Sequence, residues 1–184
     1  AGRHCLLIDI EPKDKHRPRY RLCADESSGL LLKAQLLDRE GGVLEQIAFG
    51  EVQVGQAISD DVLAPSWSTE GWTRVNRKPT PIDFEALGWG YSQPPGFSPV
   101  MQLRRSFSDG REVNQMILTD GLASVSVFIE PYQEELSQHQ WQGASRSGSI
   151  NLYGKRISDS WVVVVGEVPA LTIHQLAESI SRRD

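Results

Sequence analysis

The spacing of apolar residues changes character along the chain. Near the end, Trp161 to Val165 is an unbroken apolar, β-branched run, the pattern of a strand covered on both faces. Pro169 stops that strand. Thr172 and Gln175 then have the spacing of a capping box, with Leu171 and Leu176 at the staple positions. Ile173, Leu176, Ala177 and Ile180 recur at helical spacing and predict a terminal helix with one apolar stripe. Arg182 and Arg183 follow where cations favour the helix dipole. A strand thus enters the core of a sheet, and a helix folds back over one of its faces.

Elsewhere the period is closer to two. Residues 1–54 read as a four-stranded meander: Cys5–Ile10, Arg19–Ala24, Leu30–Leu37 and a long strand from Val43 to Val54. A first hairpin centred on Asp14 places Cys5 opposite Cys23, Leu6 opposite Leu22, Ile8 opposite Tyr20 and Asp9 opposite Arg19. One register thereby satisfies apolar, ionic and sulfur pairs together. A cross-strand disulfide between Cys5 and Cys23, worth about 3 kcal/mol, is the favoured reading, with two free thiols as the alternative. A disulfide argues for an oxidising compartment. Leu30, Leu32, Ala34 and Leu36 alternate with Lys33 and Gln35, so the curved sheet has one apolar face and no helix of its own to cover it. Such a sheet is incomplete alone.

Glycine and proline punctuate residues 58–81, which read as a linker with Trp67 and Trp72 as anchors onto a neighbouring unit. The second unit, residues 82–184, follows. Its strands Met101–Phe107, Val113–Thr119 and Leu122–Ile129 are separated by Asp109-Gly110 and Asp120-Gly121, strong hairpin signals. Two-residue loops at both put Leu103 opposite Met116, Met101 opposite Leu118, Met116 opposite Val125 and Leu118 opposite Ala123. Met101, Leu103, Met116, Leu118, Ala123, Val125 and Val127 would share an apolar face. Arg104, Gln115, Thr119, Ser124 and Ser126 would share a solvated one, with Ile117 among them. A short helix is expected over Tyr132–Trp141 and a loop over Gly143–Ser149. A hairpin across Ser158-Asp159 then pairs Leu152 with Val165 and Tyr153 with Val164. The fold class is α+β, mainly antiparallel β: a curved sheet, then about five antiparallel strands with a C-terminal helix.

Composition changes this picture little. Among 184 residues, 19 Lys and Arg against 24 Asp and Glu give a net charge of −5, which leaves no electrostatic footprint for nucleic acid. No apolar run approaches membrane-spanning length. The chain opens at AGRHCLLIDI, almost inside a strand and without a signal-peptide pattern, so a truncated or processed amino end is expected. The histidines, His4, His16, His139 and His174, show no metal spacing, and the cysteines form no Cys-x-x-Cys pair. There is no nucleophile elbow and no phosphate-binding glycine loop. Gly88-Trp89-Gly90 is too short for one, and Glu134 and Glu135 read as a solvated face. No catalytic residue, metal or cofactor is expected. Binding is favoured over catalysis.

Several phrases point in one direction. LLKAQLLDREGGVLEQIAF, PPGFS, TDGLASVSVFIE and VVVVGEVPALTIHQLAESI, in that order, resemble the MucB/RseB family over nearly the whole chain. The resemblance implies a periplasmic, non-enzymatic negative regulator that binds the periplasmic segment of a membrane-bound anti-sigma factor. Binding would shield that segment from proteolysis and repress the envelope-stress sigma factor. It also implies that residues 1–57 are the C-terminal part of a LolA/LolB-like half-barrel. The apolar face of Leu6, Ile8, Tyr20, Leu22, Leu32, Ala34, Leu36, Ile47 and Phe49 would then be part of a surface facing lipopolysaccharide or lipoprotein acyl chains. A plain hydrophobic core is the alternative for those residues, and a periplasmic lipid or lipoprotein carrier is the alternative function. With the first part of the half-barrel missing, a bare apolar patch and self-association are expected.

Overall fold

The computed structural model describes residues 2–73, 78–107, 109–134 and 142–183. Two sheets dominate. The first is a meander of β1 (Cys5–Ile10), β2 (Arg19–Asp25), β3 (Leu31–Leu37) and β4 (Val43–Ala48), in that spatial order. The strand expected to run on to Val54 stops at Ala48, although the Phe49 N–H still reaches the Leu32 carbonyl at 3.0 Å. Cys5 and Cys23 are joined by a disulfide, with Cα atoms 5.4 Å apart. The register differs from the expected one: the hairpin is centred on Lys15, so Cys23 lies opposite Leu7 and Cys5 opposite Asp25. The bridge is therefore diagonal. Ile8 faces Leu22, Leu6 faces Ala24, and Asp9 meets Arg21, not Arg19, at 2.7 Å. A shift by two residues keeps every side chain on its own face, which is why the disulfide survives it. Beside the bridge, Asp25 is buried and accepts bonds from Arg3 (2.6 and 3.0 Å), Ser27 (2.6 Å) and Ser28 (2.8 Å). Those donors, Arg3 foremost, hold its carboxyl far below the usual carboxylate range.

After a single-turn helix α1 (Asp60–Leu63), the second sheet is built from β5 (Thr80–Pro81), β7 (Ser98–Ser106), β8 (Glu112–Thr119), β9 (Ser124–Pro131), β10 (Gly143–Ser147), β11 (Ile150–Ile157) and β12 (Ser160–Gly166). Its spatial order is β10-β11-β12-β9-β8-β7-β5. The pairs Leu152–Val165 and Tyr153–Val164 form as expected. Gly143–Ser147, expected to be loop, is an edge strand. Its small polar residues suit a position with one neighbour and an exposed surface.

The two Asp-Gly hairpins depart from expectation in different ways. At Asp120-Gly121 the loop residues are Gly121 and Leu122, since Asp120 N–H bonds the Ala123 carbonyl at 3.3 Å. Met116 then faces Val127 and Leu118 faces Val125, again a shift of two that preserves faces. At Asp109-Gly110 the Phe107 N–H bonds the Arg111 carbonyl at 2.8 Å and Gly110 has φ +84°, the geometry of a longer loop with a left-handed glycine. This slip is of one residue. Gln102, not Leu103, faces Met116, and Met101 faces Ile117. Met101 and Leu103 therefore leave the expected face, and Met101 is 43% exposed. Gln115, expected in solvent, is buried and accepts a 2.7 Å bond from Arg105 Nε.

The core lies between this sheet and α2 (Ala170–Ser179), with Phe84, Trp89 and Phe97 covering the far end. Met116, Leu118, Ala123, Val125, Val127, Val162 and Val164 meet Ile173, Leu176, Ala177 and Ile180 there, all buried. The valine run is fully covered on that face alone, since Val163 and Val165 on the other are only half-buried. The helix starts earlier than its capping pattern suggests. Pro169 is the N-cap, and the Thr172 hydroxyl bonds no helix N–H but the His16 carbonyl, at 2.8 Å. Leu171, the expected staple residue, is 41% exposed. Arg182 and Arg183 do not close the helix. Ser181–Arg182 (β13) pairs with Trp89–Gly90 (β6), and Arg182 lies over the Trp89 ring at 4.9 Å. The cation at the helix end is instead Lys155 of β11, whose Nζ donates to the Ile180 carbonyl at 3.2 Å. Trp67 and Trp72 do not anchor a linker. They stack on each other, centroids 5.8 Å apart, and are 60% and 73% exposed. The helix expected over Tyr132–Trp141 lies, from residue 135 on, outside the described residues, as does His139.

Two outcomes follow from these contacts. Reduction, or the pair Cys5→Ala and Cys23→Ala, lowers the stability of the first sheet by about 3 kcal/mol, read as an earlier thermal transition with reductant than without. Gly166→Ala costs about 1–3 kcal/mol in urea denaturation, because its Cβ would sit 2.6 Å from the Ser124 carbonyl oxygen in the central β9–β12 pair.

Candidate functional site at the junction of the two sheets

The pairings Ile8–Leu22, Leu22–Ala34, Ala34–Ile47 and Tyr20–Leu36 run across all four strands of the first sheet. By alternation they put Leu6, Ile8, Tyr20, Leu22, Leu32, Ala34, Leu36, Ile47 and Phe49 on one face, with the disulfide and the Asp9–Arg21 pair on the other. Cover is uneven. Leu6 is 61% exposed, Ile47 70% and Phe49 49%, whereas Leu32 and Leu36 on the central strand are buried. The exposed residues lie on the two edges of the sheet, Leu6 and Ile8 on β1 and Ile47 and Phe49 at β4.

The covered end of that face runs into the second sheet. Tyr20 is half-buried there, and its phenol is pushed up to about 12, first by burial and then by the charges of Asp120 and Glu167. The β1–β2 loop docks beside it. Arg17 lies 3.3 Å from Asp120, and its Nη2 donates to the Pro95 carbonyl at 3.3 Å. Gly96 is required at this contact. Its φ is +79°, and any Cβ would collide with the Arg17 guanidinium. The third tie is the Thr172–His16 bond, made by a threonine with no exposed surface. The fourth joins Glu45 of β4 to Ser149 in the β10–β11 turn.

Between these ties opens a cleft of about 380 Å³. Leu36, Leu37, Leu44 and Val168 give it apolar wall, while Arg19, Arg39, Arg146 and Glu167 line it with charge. Arg19 pairs with Glu11, and Arg146 Nε donates to the Gly148 carbonyl at 2.9 Å. The arrangement suits a partner that carries both apolar and charged groups. Among the described residues no cluster of three His, Cys, Asp or Glu could hold a metal, and no helix is long and apolar enough to cross a membrane.

Of the residues singled out from sequence, the structure brings the nine apolar ones together on one face, and Leu36 reaches the cleft. Arg17, Glu45, Ser149, Glu167 and Thr172 were not foreseen as a group. Contacts between residues 104 and 156 positions apart leave no local spacing to read. Replacing Thr172 by Val removes the hydroxyl at constant shape and leaves the His16 carbonyl unpaired. It costs about 1–2 kcal/mol in urea denaturation.

Comparison with known proteins accounts for this two-sheet plan. The model of the MucB/RseB N-terminal domain matches residues 1–67, and that of the MucB/RseB C-terminal domain matches residues 83–181. The sigma factor AlgU regulatory protein MucB of Pseudomonas aeruginosa is 31% identical over 98% of this chain and 57% of its own length. The sigma-E factor regulatory protein RseB of Escherichia coli K12 is 28% identical over 98% of this chain and 55% of its own. The chain thus spans somewhat over half the length of these relatives. A crystal structure of MucB in complex with MucA(peri) superimposes with a TM-score of 0.74 at 29% identity, covering 100% of this chain and 64% of that one. Matched over both of its sheets, this chain belongs to the MucB/RseB family.

Proposed function

We propose that this chain is the greater part of a periplasmic regulator that binds the periplasmic segment of a membrane-bound anti-sigma factor. Masking that segment from regulated proteolysis represses the envelope-stress sigma factor. One observation carries the reading: the relative that superimposes across both sheets was solved with the periplasmic part of MucA bound. The relatives are named as regulatory proteins, and the cleft supplies apolar and charged surface for a partner. The chain would divide into a half-barrel portion (residues 1–57), a linker (58–81) and a C-terminal unit (82–184).

The exposed Leu6, Ile8, Ile47 and Phe49 favour a further role for the first sheet. Acyl chains of lipopolysaccharide or lipoproteins would occupy this face and act as the signal that releases the partner. Without acyl chains, the same patch drives self-association of this chain. A periplasmic carrier of lipid or lipoprotein is the second reading, supported by the same bare face.

Calorimetric titration with the anti-sigma periplasmic segment separates the two. The regulator reading expects saturable binding by this chain or by the natural longer one. Absence of binding by both rejects it. Acyl chains co-purifying with the longer protein, with no affinity for the segment, establish the carrier instead.

A further inference from the structure

The second sheet ends in an open edge at β10, whose one strand neighbour among the described residues is β11. The turn between them, Gly148–Ser149, has two residues, so its closing pair Ser147–Ile150 is a hydrogen-bonded one. By alternation Ser147, Ser145 and Gly143 turn their backbone groups toward β11. Ala144 and Arg146 turn theirs outward, two N–H and two C=O groups along the free side. The pairing with β11 has no bulge, and no proline interrupts the strand. Edges left in this state are templates for a further strand. Glycine, alanine and serine fill four of the five positions, so a second backbone can come close.

The same two residues border a groove. Ala144 and Arg146 share a face with their cross-strand partners Tyr153 and Asn151. That face looks toward α2: the Tyr153 ring meets the His174 ring edge-on, centroids 5.3 Å apart, and Asn151 Nδ2 donates to the Val168 carbonyl at 2.8 Å. α2 packs over β11 and β12, and beside it a hollow of about 380 Å³ is lined by Ala144, Arg146, Asn151, Tyr153, Ala170 and Ile173. Arg146 is the one charged residue of that lining. Its Nε is held by the Gly148 carbonyl at 2.9 Å, which leaves its charge without an acidic partner among the described residues. Arg146, Asn151 and Ala170 also line the cleft at the junction, so the groove runs on into it. We propose that an extended segment of the anti-sigma partner adds to the second sheet as a strand beside β10. Its alternate side chains lie in the groove, apolar ones against Tyr153 and Ile173 and an acidic one at Arg146. This site rests on the regulator reading given above and adds to it the surface that the partner uses. In strand addition the main-chain hydrogen bonds supply affinity, and the hollows that receive every second side chain supply selectivity. A helical segment would leave the outward groups of Ala144 and Arg146 unpaired.

Amide hydrogen exchange of this chain, alone and with the periplasmic segment of its anti-sigma factor, reads the edge directly. The Ser145 amide, already bonded to β11, should be protected in both states. The Ala144 and Arg146 amides should exchange fast alone and slow by about tenfold or more with the segment bound. Ala144→Pro removes an outward N–H and keeps the ladder to β11. It should weaken the segment by about tenfold in calorimetric titration. Arg146→Glu should weaken it by about fivefold at low salt and by less at high salt. Protection of the Ser145 amide in each variant verifies that β10 is still paired. Binding that leaves the Ala144 and Arg146 amides fast overturns the site while the regulator reading stands. So does full affinity in both variants. Protection of the same amides without the segment, growing with protein concentration, gives the edge to a second copy of this chain and also overturns the site. Absence of binding by the parent and by the natural longer chain rejects the regulator reading and the site together.

Discussion

The buried apolar cluster that α2 shares with β8, β9 and β12 is the contact on which the rest of the molecule depends. Val125, Val127, Val162 and Val164 have no exposed surface, and Ile173, Leu176 and Ala177 close over them. Each such side chain contributes about 1.5–3 kcal/mol by leaving water. This layer sits where β12 pairs with β9, which joins the β11–β12 hairpin to the β7–β9 meander. It therefore turns two locally specified hairpins into one sheet. The segment from Phe84 to Phe97 extends the same layer. The terminal pairing of Ser181–Arg182 with Trp89–Gly90 pins the end of the chain across it.

The first sheet has no comparable layer. Its cohesion comes from the disulfide, the buried Asp25 with its Arg3 and serine donors, and the docking of the β1–β2 loop onto the second sheet. Its apolar face is covered along β3, at Leu32 and Leu36, and left exposed at Leu6 on β1 and at Ile47 and Phe49 on the opposite edge. Free energy that a closed core would have taken up internally thus remains available for association. The contrast is between a sheet that buries its face and one that leaves part of it exposed.

The ties at the junction are polar and sparse: Arg17 with Asp120, Thr172 with His16, Glu45 with Ser149. Polar interfaces between units of one chain are the kind that permit relative motion. The cleft they frame is bordered by these hydrogen bonds and charges and by the apolar Leu36, Leu37, Leu44 and Val168.

Much of this was legible in the residues. The apolar stripe of α2, the strand runs, the meander of the first sheet and the shared face of its nine apolar residues all follow from side-chain period, which depends only on neighbours two to four positions away. The Cys5–Cys23 bridge and the buried faces of β8 and β9 tolerated a two-residue error in register, because such a shift leaves each side chain on its own face. Register itself was decided by tertiary structure. At Asp109-Gly110 one extra loop residue turned Met101 and Leu103 away from the helix. The hydroxyl of Thr172 has the spacing of a cap, yet a carbonyl 156 positions away offered it a partner in the folded chain. Period is a property of the local backbone. The partner of a buried polar group is whatever the folded chain brings within hydrogen-bond reach, and only the assembled structure decides that.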